Sequence, residues 1–334
     1  MKKIASYLRI REWLDSKVTF MMGILLLFYF CIGERFEAIT VVKTVAYFLY
    51  VSMFLAISYV ANDFADMEID KKSGKVKIIA NMPKWEIWSS LILMAMVGNI
   101  PLLACADNKW GCSIIIALTY FLGLAYSTLG IRFKERGLLG LIECSYAQRC
   151  MPLLIILVLV KTDVLLTIML LGWMCLSFID GLRYIIIHQV NDLENDIASG
   201  VDTYVARKRG NYRKVLFYLL IAELLITTLL LIPLWKRMVI LTSACVLFNI
   251  VLEYCIYVVI QKYAQKNILL TFDSVPMEAF YNTLFPVLSG LSLVIIDMRW
   301  IIFAVILLMV SYKSFIIKCK IALVFIKSKV RKQR

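Results

Sequence analysis

The chain has 334 residues, of which 62% are apolar and only 18% are charged. This excludes an ordinary soluble enzyme, because soluble domains carry about half apolar residues. The apolar residues suffice for on the order of ten membrane-spanning helices of about 20 residues each. The net charge of +14 first indicates membrane orientation, so we expect no nucleic-acid partner. A single histidine, His188, excludes a histidine-rich metal site.

The predicted elements begin with an amphipathic helix over residues 1–17, which mixes basic and apolar side chains and suits the membrane surface. The apolar segments that follow leave no room for a soluble domain. We therefore expect one all-α domain over residues 1–334, a polytopic transmembrane helical bundle that ends in a basic tail, 319–334, lying on membrane lipid. The ten predicted spans are 18–33, 39–61, 85–106, 111–130, 138–160, 163–190, 212–234, 237–260, 278–297 and 300–318.

Basic residues are unevenly divided between the two sets of connections. With a cytoplasmic N-terminus, the cytoplasmic connections hold 28 Lys and Arg, and the opposite connections hold seven. Cytoplasmic loops carry the excess of Lys and Arg, so both termini are predicted to be cytoplasmic. Because no organelle-targeting segment is recognised, we expect a bacterial cytoplasmic membrane.

A first acidic cluster follows the second predicted span. Asn62, Asp66 and Asp70 are spaced four residues apart and project from one face if the segment is helical. Carboxylates one turn apart repel each other, and a hard divalent cation between them would remove that repulsion. The adjacent Asp63 is a secondary candidate.

A second cluster follows the sixth span, where Asp192 and Asp196 are again one helical turn apart. One isolated acidic run is often only a solvated helix end. Two such runs on the same predicted membrane face favour a site in which Mg²⁺ is held by carboxylates and by the phosphate oxygens of a substrate.

These motifs resemble the UbiA superfamily of intramembrane prenyltransferases, over roughly residues 5–298. The Asn-x3-Asp-x3-Asp signature is matched at Asn62 and the Asp-x3-Asp signature at Asp192. A third segment, from Tyr126 to Lys134, looks like the family's Tyr-Ser segment that ends in two basic residues. Residues 71–80 depart from the family, since the usual Arg-Pro pair is replaced by a lysine-rich run.

The resemblance implies nine core spans, with 300–318 as an extra C-terminal segment, and an isoprenyl diphosphate substrate bound with Mg²⁺ as cofactor. It implies that Asn62 joins the carboxylates as a metal ligand. Tyr126, Arg132 and Lys134 would bind the diphosphate. The catalytic aspartates would be Asp66, Asp70, Asp192 and Asp196.

Several polar residues interrupt the fifth and sixth spans, and such residues often face a cavity. Arg183 is one turn from Asp180, which favours a structural ion pair, although a role in substrate binding stays open. His188 is one turn before Asp192 and is a second candidate for either a structural or a proton-accepting role. Arg149, in the fifth span, is a further candidate.

The function that follows is transfer of an isoprenyl group from its diphosphate, through an allylic cation, to an unidentified aromatic or lipid acceptor, as in transferases of EC 2.5.1. The alternative enzyme is a terpene cyclase that needs no acceptor. A phosphoribosyl-type transferase to polyprenyl phosphate and an ion-coupled transporter are further alternatives. A transporter would more naturally hold its carboxylates near the bilayer midplane.

Overall fold

The computed structural model describes residues 2–72, 77–128, 130–200, 203–208, 212–232, 280–313 and 316. These residues are helices and their connections, without a strand, which confirms the all-α prediction. The chain divides into two compact units, and each is described by itself. Unit 1 comprises 1–13 and 37–230, and unit 2 comprises 14–36 and 231–334. The expectation of a single domain stays a prediction.

Thirteen α-helices are numbered here along the described chain, and some continue into short 3-10 or π-helical turns. They are α1 Lys2–Tyr7, α2 Thr19–Ile32, α3 Ala38–Ala65, α4 Met67–Lys72, α5 Lys84–Cys105, α6 Lys109–Ala125, α7 Leu138–Ser145, α8 Ile156–Leu159, α9 Val164–Ser199, α10 Tyr204–Lys208, α11 Tyr212–Leu231, α12 Phe285–Val294 and α13 301–313.

Six continuous helical stretches among the described residues are long and apolar enough to cross a membrane. Two shorter apolar helices, Lys109–Ala125 and Phe280–Val294, also coincide with predicted spans. The predicted span 237–260 lies outside the described residues, so the total of nine or ten spans stays a prediction. The six long stretches are Leu14–Ile32, Ala38–Ala65, Lys84–Cys105, Leu138–Leu159, Val164–Glu194 and Lys214–Leu231.

The N-terminal prediction was wrong in one respect, because residues 1–17 do not form one continuous helix. The chain leaves α1 at Arg9, whose φ of 50° lies in the left-handed region, and resumes as a 3-10 turn over Ile10–Glu12. A left-handed residue cannot continue a right-handed helix.

The fifth and sixth predicted spans also differ in detail from the structure. The fifth runs from α7 to α8 through a π-helical turn and then a 3-10 turn. Pro152 lies at the start of the 3-10 turn, where the proline has no N–H to donate to an α-helical hydrogen bond. The sixth was predicted to end at residue 190, but α9 continues to Ser199 and ends at Gly200, whose φ is 71°. The second acidic cluster therefore lies on the helix itself.

Close packing in unit 1 fixes the end of α3 that bears the first cluster. α3 packs along α5 and also contacts α6. A methyl group on Gly123 of α6 would stand 2.7 Å from the Phe54 ring, so α6 approaches α3 closely only because this residue is glycine. This contact brings the segment after α6 close to the C-terminal end of α3.

Within the described residues, unit 2 contains α2, α12 and α13 with the helical turns around them, and α2 packs against α12. Gly23 lies against the backbone of Pro286, where a Cβ atom would be 2.8 Å from its Cα. The Phe20 and Tyr281 rings lie 5.2 Å apart. The Trp300 indole donates a hydrogen bond to the Glu34 carbonyl at 3.3 Å. The first and second acidic clusters both belong to unit 1.

Candidate active site

The three polar residues of the first cluster lie on successive turns at the end of α3. Asn62 is in α3, Asp66 caps it, and Asp70 is in α4. The Asp66 amide donates to the Asn62 carbonyl at 3.0 Å, and the Asp70 amide donates to the Asp66 carbonyl at 2.8 Å. These bonds carry the helical path across the change of helix, so the three residues stay one turn apart.

The segment after α6 brings two cations onto this cluster. The Asp66 carboxylate pairs with Arg132, at 3.3 Å from Nη2, and with the Lys134 ammonium. The Ser127 hydroxyl donates to the Asn62 side-chain oxygen at 2.6 Å. The structure therefore brings Asn62 and Asp66 together with Arg132 and Lys134, which lie more than 60 residues further along the chain.

Backbone geometry around Arg132 holds this basic turn in place. Arg132 has a φ of 39°, a left-handed conformation that costs about 1 kcal/mol or more for a residue other than glycine. The turn also rests on α7, because a Cβ atom on Gly140 would stand 2.1 Å from the Phe133 carbonyl oxygen. Only glycine at position 140 allows α7 to approach the basic turn this closely.

Asp63 and Asp70 are joined by a lysine from the segment after α4. The Lys77 ammonium lies 2.7 Å from the Asp63 carboxylate and 2.6 Å from that of Asp70. Asp63 also accepts a hydrogen bond from Arg9 Nη1 at 2.9 Å. Sequence reasoning missed Arg9 and Lys77 as site residues, since both were counted only as members of basic connections.

Burial and ion pairing act in opposite directions on the two lysines. Burial alone would lower the pKa of Lys77, but hydrogen bonds to Asp63 and Asp70 outweigh it and raise that pKa above its usual value. Burial lowers the pKa of Lys134, and its contact with Asp66 only partly compensates. Lys134 is therefore the less favourably solvated of the two cations, and an added anion nearby would stabilise its charge.

The second cluster lies on the last turns of α9. His188 Nδ1 is 2.9 Å from an Asp192 carboxylate oxygen, and more than half of the His188 side chain is exposed. Asp196 follows one turn later on the same helix. Arg9, which pairs with Asp63, is within electrostatic range of His188.

The oxygen donors fit Mg²⁺ by their chemistry. In the part of the chain that the structure describes, no three Asp, Glu, His or Cys side chains converge as a ready metal cage. Mg²⁺ does not require such a cage, because it usually takes one or two carboxylates and completes its coordination with water and substrate phosphate. Asp66 and Asp70, with the amide oxygen of Asn62, are donors of this kind.

A buried ion-pair network lies deeper in unit 1. Arg183 pairs with Asp180 at 3.2 Å, which confirms the predicted pair, and its Nε also lies 2.7 Å from Glu223 of α11. Arg149 approaches the other Asp180 oxygen at 3.0 Å. All four side chains are buried. The predicted candidates Arg149 and Arg183 thus tie three helical segments together, and Glu223 was missed although a lone acid in an apolar span was a usable signal.

The helices and the motifs they carry define a polytopic membrane protein of the intramembrane prenyltransferase type. The sequence model of the UbiA prenyltransferase family matches residues 18–284. The chain therefore belongs to the UbiA prenyltransferase family, whose members are membrane-embedded transferases. No curated protein matches the chain.

Solved structures share the fold at low sequence identity. A UbiA homologue from Archaeoglobus fulgidus bound to GPP and Mg²⁺ superposes with a TM-score of 0.60 at 16% identity, covering 87% of this chain and 99% of the homologue. A digeranylgeranylglyceryl phosphate synthase structure gives 0.57 at 18% identity, covering 86% and 99%. A homologue from Aeropyrum pernix K1 without ligand gives 0.55 at 11% identity, covering 84% and 98%.

Proposed function

We propose that this protein is a Mg²⁺-dependent prenyltransferase that moves an isoprenyl group from its diphosphate to a separate, unidentified acceptor. The observation that carries the proposal is the contact of Asp66 with Arg132 and Lys134, since a carboxylate suits Mg²⁺ and the two cations suit phosphate. The relatives bound to GPP or DMAPP with Mg²⁺ support the same substrate class. The reaction corresponds to EC 2.5.1.

Mg²⁺ would be held by Asn62, Asp66 and Asp70 on one side and by Asp192 and Asp196 on the other. Its chemistry when bound is to neutralise the diphosphate and stabilise the pyrophosphate that leaves. As oxygen ligands, these carboxylates would face the water-soluble diphosphate, while the prenyl chain would extend among the apolar helices of unit 1.

The basic residues of the turn have a role that follows from their present contacts. Arg132 and Lys134 pair with Asp66, and phosphate oxygens would offer both cations a second anionic partner. Arginine binds phosphate through two parallel N–H donors, and lysine binds it as a point charge. Tyr126, at the start of the same segment, would offer its phenol O–H to the substrate as a further hydrogen-bond donor.

The ionised substrate would be an allylic cation, which must be kept from water until the acceptor captures it. The apolar interior of unit 1 would exclude water around the prenyl chain. The site would open to the cytoplasm of a bacterial cell, with both termini on that side. This orientation rests on the distribution of Lys and Arg in the sequence.

One comparison of cells and one incubation of the purified protein test this function. Lipid extracts of cells with and without the protein are compared by mass spectrometry, with an Asp66→Ala, Asp192→Ala double variant as control. We expect a prenylated lipid only with the wild-type protein. Purified protein is then incubated with isoprenyl diphosphates and Mg²⁺ alone. A cyclic hydrocarbon would favour the cyclase, and survival of all turnover in the double variant would contradict the metal–diphosphate site.

A further inference from the structure

Glu143 of α7 is a buried carboxyl group that the proposed chemistry has not yet used. Only 8% of the residue is exposed. Neither of its carboxyl oxygens has a hydrogen-bond partner among the described residues. A buried carboxyl without a partner is costly, and such groups are retained in proteins chiefly where they bind or react with something.

The position of Glu143 on α7 directs it to the basic turn. Glu143 is three residues after Gly140, whose Cα lies against the Phe133 carbonyl, so both residues share one side of the helix. The opposite side of α7 is exposed. The buried side comprises Gly140, Leu141, Glu143, Cys144, Ser145 and Ala147, and the exposed side comprises Leu138, Leu139, Ile142 and Tyr146.

Tyr126 connects Glu143 to the first acidic cluster. The Tyr126 phenol lies within electrostatic range of the carboxyl groups of both Glu143 and Asp66. Asp66 is paired with Arg132 and Lys134, whereas Glu143 is not paired with a cation in the part of unit 1 that the structure describes. The two carboxyl groups beside Tyr126 thus have opposite surroundings, one beside cations and one among apolar groups.

We propose that Glu143 is the base that accepts the proton released when the prenyl cation is captured. This inference rests on the proposed function. The carbon–oxygen bond to the diphosphate breaks and its electron pair leaves with pyrophosphate. An electron pair of the acceptor forms the new bond to the allylic carbon. The acceptor then loses one proton, and a Glu143 carboxylate oxygen takes it, which returns the product to neutrality.

The separation of Glu143 from the cations suits this role. A carboxylate paired with arginine or lysine is a weak base, because the neighbouring charge stabilises its ionised form. A desolvated carboxylate without such a partner is a stronger base, and positioned bases contribute about 100- to 10,000-fold to a rate. Asp66 is therefore suited to metal and diphosphate binding, and Glu143 is suited to proton transfer.

The test uses the full-length protein in vesicles of total lipid extract, with radiolabelled GPP and Mg²⁺ as the probe. Glu143→Gln keeps the size of the side chain and removes its basicity. We expect this variant to bind GPP within about threefold of the wild type and to form prenylated lipid at least about 100-fold more slowly. Glu143→Asp should recover part of the transfer.

The matched control is Glu37→Gln, an exposed glutamate at the opposite end of α3, which should behave as the wild type. The inference is overturned if Glu143→Gln forms prenylated lipid within threefold of the wild-type rate. It is also overturned if this variant loses GPP binding and transfer in parallel, since Glu143 would then serve the diphosphate site or the fold. A wild-type protein that neither binds nor consumes GPP would instead overturn the proposed function, and the role of Glu143 with it.

Discussion

The buried network around Arg183 predicts a large and charge-dependent loss of stability when one member is changed. When Asp180 and Glu223 are both ionised, their two negative charges balance the two positive charges of Arg149 and Arg183, and the network is neutral. The side chains of Arg183 and Glu223 are 2% and 0% exposed. Glu223→Gln preserves side-chain size but leaves one positive charge without compensation.

The expected magnitude follows from the cost of an unpaired buried charge. Breaking such a pair costs about 3–5 kcal/mol, so Glu223→Gln should lower the free energy of unfolding by about that amount. Arg183→Met should cost a similar amount, because it leaves Glu223 uncompensated. The double variant restores neutrality through Arg149 and Asp180, and we expect it to lose only about 1–3 kcal/mol.

Unfolding by SDS in mixed detergent micelles, followed by tryptophan fluorescence, measures all three variants in one series. We predict that the double variant loses several kcal/mol less unfolding free energy than the sum of the two single losses. Single losses below about 1 kcal/mol, or losses that add to within about 0.5 kcal/mol, would refute the reasoning.

Three further predictions concern the candidate site. Lys134→Met should weaken binding of isoprenyl diphosphates about 10- to 150-fold, because a charge-assisted hydrogen bond contributes about 1.5–3 kcal/mol. The control is Arg136→Met, at an exposed residue of the same segment. Equal losses of binding in the two variants would contradict the role of Lys134. Gly140→Ala should displace the basic turn through the Phe133 carbonyl and weaken the same binding about tenfold, whereas unchanged binding would show that the turn adapts freely. The raised pKa of Lys77 means that its ion pairs stabilise the fold fully below its ordinary pKa of 10.5 and lose that effect only as pH rises through the higher folded value. Lys77→Met should therefore destabilise the protein equally at pH 7 and pH 9 in thermal unfolding, and a cost that disappears by pH 9 would contradict this assignment.

The helical parts of the site could be predicted from the sequence because they depend on a regular spacing. Asn62, Asp66 and Asp70 recur every four residues, and the helical hydrogen bonds hold them one turn apart. The pairing of Arg183 with Asp180 follows from the same period. Apolar content also located the helices of both units, although it ended the sixth span too early. A helix can continue beyond the apolar segment when its backbone hydrogen bonds continue, as α9 does to Ser199.

The contacts made by connecting segments could not be predicted in this way. Arg9 reaches Asp63 because the chain turns into a left-handed conformation at that residue, and Lys77 reaches Asp70 from the segment after α4. No periodicity fixes the path of such segments. Burial of Glu143 without a hydrogen-bond partner likewise depends on packing against residues far away in the sequence. The sequence therefore shows the acid but does not show that its carboxyl group has no partner.

The central claim is that the two acidic clusters form one Mg²⁺-dependent diphosphate site. The most direct measurement is equilibrium binding of a non-reactive thiolodiphosphate analogue of GPP to the purified protein, with and without Mg²⁺, for the wild type and for Asp66→Ala and Asp192→Ala. We predict binding that requires Mg²⁺ and is lost in each variant. Binding that persists without Mg²⁺, or that both variants retain at wild-type strength, would contradict the account.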